Sequence, residues 1–172
     1  MTTRIGLVSD THMPRFGHEI PAALREGLTD AGVDLIIHLG DWTGAEIPLL
    51  FEAIAPLEGV AGNNDGPELV ARWGRGRVIE VDGLRLGLTH GDLGIGRTTP
   101  ERARSTFARD EVDAILFGHS HQPLIQRSSN GRWLINPGSP TDKRREPRYS
   151  WALLEIVAGE ISPELRYFAR EG

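Results

Sequence analysis

Apolar positions along the chain follow two periods in turn. Arg4 to Ser9 is a short aliphatic run that stops at Asp10, with Pro14 and Gly17 marking a loop beyond it, and it reads as a first strand. Pro21 then opens a segment in which Leu24, Leu28 and Ala31 recur at helical spacing before Gly32, the pattern of an amphipathic helix with a glycine stop. Asp34 to Leu39 reads as a second strand ending at Gly40-Asp41, Ala45 to Ala55 as a second helix with Pro48 in its first turn, and Leu57 to Ala61 as a third strand ending at Gly62-Asn63. After a short helical piece at Glu68 to Trp73 the grammar changes. Val78 to Val81 and Leu84 to Thr89 flank Asp82-Gly83, a two-residue hairpin signal. Thr99 and Pro100 open a helix that runs to Glu111, and Asp113 to Phe117 follows as a buried strand ending at Gly118-His119. Two further hairpins join Leu124–Arg127 to Trp133–Ile135 through Asn130-Gly131, and Trp151–Val157 to Ile161–Phe168 through Gly159-Glu160. Strands alternating with helices and then giving way to hairpins predict an α/β (α+β) class, with two mixed sheets face to face and helices outside.

Composition narrows the function classes. A length of 172 residues is expected to make one domain spanning 1–172, and 39% apolar with 25% charged residues is ordinary for a globular protein with a real core. There is no cysteine, which excludes thiolate metal sites, disulfides and a cysteine nucleophile, so any metal binds through nitrogen and oxygen. A net charge of -5 makes a long nucleic acid an awkward partner, whereas a small anion needs only a local positive field. The longest apolar runs, Ala114–Phe117 and Trp151–Leu154, have four residues, far short of the roughly 20 a membrane-spanning helix needs. Met1-Thr2-Thr3-Arg4 leads directly into the first strand without an apolar leader, which points to the cytoplasm.

The chemistry collects at strand ends. Six strand-like runs terminate in Asp10-Thr11-His12, Gly40-Asp41, Gly62-Asn63-Asn64-Asp65, His90-Gly91-Asp92, Gly118-His119-Ser120-His121 and Asn136-Pro137-Gly138. Ligands of open α/β sheets bind beyond the carboxyl ends of the strands, so these loops can converge on one cleft. Four of the six histidines lie there, His12, His90, His119 and His121, with Asp10, Asp41 and the amide of Asn63. Seven imidazole, carboxylate and amide donors exceed the needs of one catalytic ion and imply two divalent metals from among manganese, iron, cobalt, nickel, zinc and magnesium; manganese is the first expectation, although ligand type does not separate it from nickel, cobalt, iron or zinc. Two such ions would outweigh the two carboxylates and leave a locally positive site that selects anionic esters.

The ordered set D-x-H, G-D, G-N-x-D, H-G and G-H-x-H resembles the calcineurin-like metallophosphoesterases. Asn136-Pro137-Gly138-Ser139 and Pro147-Arg148 are further similar to the small single-domain bacterial and archaeal phosphodiesterases. The resemblance covers essentially the whole chain and implies a four-layer sandwich of two mixed β-sheets flanked by helices. It implies that Asp10, His12, Asp41 and His121 hold one ion, and that Asp41 bridges to a second held by Asn63, His90 and His119. A hydroxide bridging the two ions would then attack phosphorus directly, in a phosphodiesterase acting on a small phosphate ester. Phosphomonoesterase or nuclease activity on the same centre is the alternative within this chemistry. A protein-interaction scaffold is the alternative outside it, because the small retromer subunit is similar in fold and has lost catalysis.

Many relatives carry histidine where this chain has Asn64, with the following aspartate orienting it. The carboxamide of Asn64 can donate a hydrogen bond to a leaving group but cannot act as a general acid near neutral pH, and Asp65 loses its imidazole partner. Asn64, Asp65 and His90 are accordingly the candidate catalytic groups, and Asn64, Arg15 and Arg97 the candidate substrate contacts. For Arg15, His18 and Arg97, solvated surface side chains are the plainer reading. His38 is expected as a packed core histidine, Asp92 as a turn residue behind the ligands, and Trp42 as either a cleft wall or a cover for the sheet edge. Asn136 is a candidate support for the ligand loops. Lys143, Arg144, Arg145 and Arg148 form a basic run that reads as an exposed charged loop. A homo-oligomer is compatible with all of this.

Overall fold

The computed structural model describes residues 1–169; the last three positions of the expected 1–172 unit lie outside the described residues. In chain order the elements are β1 (Thr2–Val8), α1 (Ala22–Ala31), β2 (Leu35–His38), α2 (Ile47–Glu52), β3 (Leu57–Gly59), α3 (Pro67–Trp73), β4 (Gly76–Val81), β5 (Leu84–Thr89), α4 (Thr99–Thr106), β6 (Ala114–Leu116), β7 (Leu124–Arg127), β8 (Trp133–Asn136), β9 (Tyr149–Val157) and β10 (Glu160–Phe168). They build two five-stranded sheets, β10-β9-β1-β2-β3 and β4-β5-β6-β8-β7. β1, β2 and β3 run parallel in the first sheet, as do β5, β6 and β8 in the second, and each sheet is completed by antiparallel strands.

Side-chain alternation explains the layering. On β1, Ile5 and Leu7 point one way and Val8 the other; on β9, Ala152, Leu154 and Ile156 oppose Trp151 and Leu153. The first group packs against Leu86 and Leu88 of β5 and Leu116 of β6, forming the core between the sheets. The second packs against Leu24 and Leu28 of α1, Phe51 of α2 and Trp73 of α3. Ala103 of α4 and Phe107 cover the far face of the second sheet over Ile115 and Leu134. The result is helices, sheet, sheet, helix, which is the expected four-layer sandwich. Among the described residues no helix is long and apolar enough to cross a membrane.

Several boundaries differ from the sequence pattern. The second helix keeps only Ile47–Glu52 of the expected 45–55. The fourth begins one residue earlier, with Thr98 as its cap in a reciprocal capping box with Glu101, and ends at Thr106 instead of Glu111. Phe107 leaves the helical path there and is buried beneath the strand at Gly87, so packing overrides the local helical tendency. The last hairpin turns at Ala158-Gly159, both in the left-handed region (φ 51° and 77°), one position before the expected pair. That is the primed turn geometry that matches the twist of the flanking strands.

Leu154→Ala should therefore destabilise the fold by ~2–5 kcal/mol, the usual cost of emptying a closed core position. Leu49→Ala, at a side chain 64% exposed, should stay within about 0.5 kcal/mol. Urea unfolding of the two variants checks the layering, and equal effects would contradict it.

Candidate metal centre

All six parallel strands deliver their carboxyl ends to one edge of the sandwich. β1 and β2 continue side by side past their last residues, with the N–H groups of Asp10, His12 and Met13 donating to the carbonyls of Gly40, Asp41 and Trp42, each at 3.0 Å. This pairing brings the Asp10-Thr11-His12 loop against Asp41. From the second sheet, the His119 N–H donates to Asp10 Oδ2 at 2.9 Å, locking the turn after β6 onto the end of β1. Asp10, His12, Asp41, His119 and His121 all have positive φ, between 44° and 70°. Such backbone costs on the order of 1–3 kcal/mol per non-glycine residue and persists where the surroundings enforce it, typically at functional sites. Here each left-handed residue swings a donor off its strand and over the sheet edge.

The donors meet around two buried carboxylates. Asp10 Oδ1 lies 3.4 Å from His121 Nε2, 3.7 Å from His90 Nε2 and 3.8 Å from His12 Nε2. Asp41 Oδ2 is 3.3 Å from both His12 Nε2 and His90 Nε2, midway between two imidazoles. Donor atoms of Asp10, His12 and His121 form one compact group and those of Asp10, Asp41 and His90 a second, each within 4.8 Å. His119 joins the second through Nδ1, 3.3 Å from His90 Nε2.

Hydrogen bonding fixes which ring nitrogens face inward. A carbonyl can only accept, so His90 Nδ1 donates to Leu39 O at 2.7 Å and His121 Nδ1 donates to Asp142 O at 2.5 Å. Both rings then present Nε2 to the carboxylates, the arrangement by which a backbone partner orients a metal-binding histidine. Asp10 Oδ1, His12 Nε2 and His121 Nε2 are buried without a hydrogen-bond partner, although buried polar atoms are nearly always satisfied. Three orphaned donors of nitrogen and oxygen type converging on one point fit a divalent ion.

The electrostatics agree. Burial works against ionisation of Asp10 and Asp41, but the neighbouring His90, with His12 and His121 at Asp10 and Asn64 at Asp41, holds both carboxyls below the ordinary carboxylate range. Burial also opposes charge on His90, yet Asp10 and Asp41 raise it to about 9. His119 is pushed below its usual value by burial and by the charge on His90.

The loop after β3 serves the centre mainly through its backbone. Asp65 accepts from Gly62 N at 2.7 Å, Asp41 N at 2.8 Å and Thr43 N at 2.8 Å, tying this loop to the one after β2. Burial raises its pKa, with the charge of Asp41 adding to the rise and the backbone donors opposing it. Asn64 donates from its backbone to Asp41 Oδ1 at 3.0 Å and from its carboxamide to Oδ2 at 2.8 Å, so it orients Asp41. Asn63 is exposed on the same turn. Arg15 is exposed and lines a cavity of about 430 Å³ with Phe16, Tyr149 and Phe168. Arg97 is exposed in front of α4, where its backbone donates to Glu101. Among the described residues neither arginine forms an ion pair with the clustered carboxylates.

His38 lies beneath the centre as a core residue. Burial pushes its pKa down to about 3, its Nδ1 accepts from Gly40 N at 3.1 Å, and its ring stacks on Trp42 at 3.8 Å. Trp42 is buried and stacks in turn on Trp73, so it neither walls a cleft nor merely caps an edge. Asp92 pairs with Arg75 at 2.5 Å, and Asn136 donates to Gly118 O at 3.1 Å and Ser120 Oγ at 3.0 Å. Several supports escaped sequence reasoning. Ser9 Oγ donates to Asp10 Oδ2 at 2.7 Å, Ser139 Oγ to Asp10 O at 2.8 Å, and Asp142 offers its carbonyl to His121. Ser9 could have been found by its place beside Asp10; a backbone carbonyl leaves no trace in residue type.

Residues 3–159 match the calcineurin-like phosphoesterase superfamily domain. The chain belongs to this superfamily. A probable metallophosphoesterase of Methanothermobacter thermautotrophicus is 39% identical over 140 residues, spanning 81% of this chain and 78% of that protein. A probable metallophosphoesterase of Methanocaldococcus jannaschii is 35% identical over 143 residues, 83% of this chain and 71% of its own. Among solved structures, vacuolar protein sorting 29 of Entamoeba histolytica in complex with zinc superposes with a TM-score of 0.76 over 96% of this chain and 99% of its own. At 22% identity that likeness speaks for the fold alone.

Two outcomes follow from the geometry. A Cβ at Gly62 would lie 2.2 Å from Asp41 Oδ1 and 2.6 Å from its backbone nitrogen, so Gly62→Ala should displace Asp41 and weaken Mn²⁺ binding ~10-fold or more, read by calorimetric titration. Unchanged affinity would show that Asp41 is not held by this contact. Because His90 is raised to about 9 when folded, against ~6.5 unfolded, its charge stabilises the chelator-treated protein fully below pH ~6.5. That contribution should fade as pH rises through 9, and a urea midpoint that climbs over this window would contradict the pairing.

Proposed function

We propose that this calcineurin-like protein is a phosphodiesterase that hydrolyses small phosphate diesters with two divalent ions, manganese before nickel, cobalt, iron or zinc. In this reading Asp10, His12, Asp41 and His121 hold one ion, and Asp41, Asn63, His90 and His119 the other. The observation that carries it is the cluster of orphaned inward-facing atoms, Asp10 Oδ1, His12 Nε2 and His121 Nε2, beside an Asp41 oxygen 3.3 Å from two imidazoles. Divalent ions bound there would polarise the phosphoryl oxygens and lower the pKa of an attacking water.

The chain's own residues supply position and charge balance. The carbonyls of Leu39 and Asp142 keep His90 and His121 in the tautomer that faces the ester. Asn64 keeps both oxygens of Asp41 oriented, and its carboxamide has no acidic proton for a leaving alkoxide. Good leaving groups are therefore preferred, and diesters are favoured over monoesters. Asp65 holds the turn that carries Asn63 and Asn64. Cleavage of short or damaged nucleic acid and monoester hydrolysis remain chemically related readings, and the net charge of -5 favours small substrates over long strands. The cytoplasm is the compartment this reading assigns.

After metal removal and addition of Mn²⁺, hydrolysis of bis(p-nitrophenyl) phosphate should exceed that of p-nitrophenyl phosphate. Asp41→Asn and His119→Ala should each lower the diester rate by ~100-fold or more; parental rates in both variants would reject the site. Asn64→His should raise the rate on alkyl diesters relative to aryl diesters by ~10-fold or more, as an added general acid would, and a ratio that does not move would refute the assigned cause of leaving-group dependence.

A further inference from the structure

The basic run expected as an ordinary charged loop lines a cavity of about 370 Å³ together with His121. Lys143, Arg144 and Arg145 all border it, with Ser120 and Gln122 from the loop that carries His121, and the carboxylate of Glu146 completes the lining. Among the described residues, none of these three cations lies in an ion pair with a carboxylate. Three cations against the single carboxylate of Glu146 leave the lining net positive in a protein whose net charge is -5, which gives the cavity a local positive field beside His121.

The loop is also built, not merely exposed. Ser139 Oγ accepts from Thr141 N at 3.2 Å and Asp142 N at 2.9 Å while donating to Asp10 O at 2.8 Å. Thr141 Oγ1 donates to Thr11 O at 2.7 Å, and Asp142 O receives His121 Nδ1. Arg144 itself sits in the left-handed region at φ 49°, inside a turn closed by Glu146 N donating to Lys143 O at 2.9 Å. Lys143 lies over the ring of Tyr149, 5.9 Å from its centroid. The same segment that orients a candidate ligand therefore projects three cations beside it.

Resting on the phosphodiesterase reading, we infer that the cavity of Lys143, Arg144 and Arg145 is a subsite for a second phosphate on one arm of the diester, so that the substrate class is a phosphate diester bearing a further phosphoryl group. Arginine suits this task because its planar fork pairs with phosphate oxygens two at a time. The cavity volume falls at the small end of the usual ~300–1,000 Å³ for ligand sites, enough for a phosphate with part of a sugar. The centre would take the scissile phosphate and the loop would take its neighbour.

Two substrates that differ by one phosphate test it: thymidine 5′-(p-nitrophenyl phosphate) and its 3′-phosphorylated counterpart, assayed with Mn²⁺-supplemented protein. The bisphosphorylated substrate should have a kcat/KM about 10-fold higher or more, chiefly through KM, and the advantage should shrink as salt screens the loop. In the double variant Arg144→Glu with Arg145→Glu the preference should disappear or invert. Calorimetry with thymidine 3′,5′-bisphosphate and thymidine 5′-phosphate supplies a readout independent of turnover, and the wild-type protein should bind the bisphosphate at least about 10-fold more tightly. Turnover without preference between the two substrates would overturn the subsite and leave the phosphodiesterase reading standing. Absence of turnover on every diester would remove the phosphodiesterase reading, and equal affinity for the two nucleotides would then overturn the subsite separately. Capture of an acidic peptide by the loop, with no discrimination between the nucleotides, would also overturn it.

Discussion

The structure depends on placing two carboxylates, Asp10 and Asp41, in the interior and surrounding them with imidazoles. A buried carboxylate without partners is among the costliest groups a fold can carry. Asp10 is relieved on one oxygen by Ser9 and the His119 N–H, and on the other faces three ring nitrogens. That compensation is incomplete without a cation, because one oxygen and two imidazole nitrogens still lack hydrogen-bond partners. The topology, with six parallel strands opening at one edge, makes such a concentration of polar groups possible without breaching either core.

The two sheets contribute differently. The first delivers Asp10, His12 and Asp41 from beyond β1 and β2, and the second delivers His90, His119 and His121 from beyond β5 and β6. The centre is consequently a seam between sheets, and the apolar core beneath it acts as its ruler: Leu7 and Leu39 pack with Leu88 and Leu116 directly behind the ligand loops. A shift between the sheets would change the carboxylate-to-imidazole distances at once. Hydrogen bonds across the seam, such as His119 N to Asp10 Oδ2 at 2.9 Å and His90 Nδ1 to Leu39 O at 2.7 Å, resist that shift.

Much of this was legible in residue order. The Asp82-Gly83 and Asn130-Gly131 turns, the glycine stop at Gly32 and the polar strand ends all carry local signals that tertiary contacts reinforce. The early end of the fourth helix was not legible, because Phe107 is drawn into a core that only the folded sheet provides. The histidine and aspartate cluster could be assembled from its spacing, whereas the backbone carbonyls of Leu39 and Asp142 that orient its rings have no residue signature. Asn64 shows the same limit: its type excluded a general acid, but its grip on Asp41 is a matter of geometry.

The left-handed backbone at Asp10, His12, Asp41, His119 and His121 bears on how such a protein can drift. Aspartate, asparagine and histidine tolerate that conformation far better than β-branched residues do. Replacements that survive at these positions are thus drawn from a short chemical menu, still rich in oxygen and nitrogen. A lineage that stopped selecting for chemistry would shed its hydrolytic power more slowly than the count of mutable positions suggests, because the chain's own conformation filters what can take the donors' place.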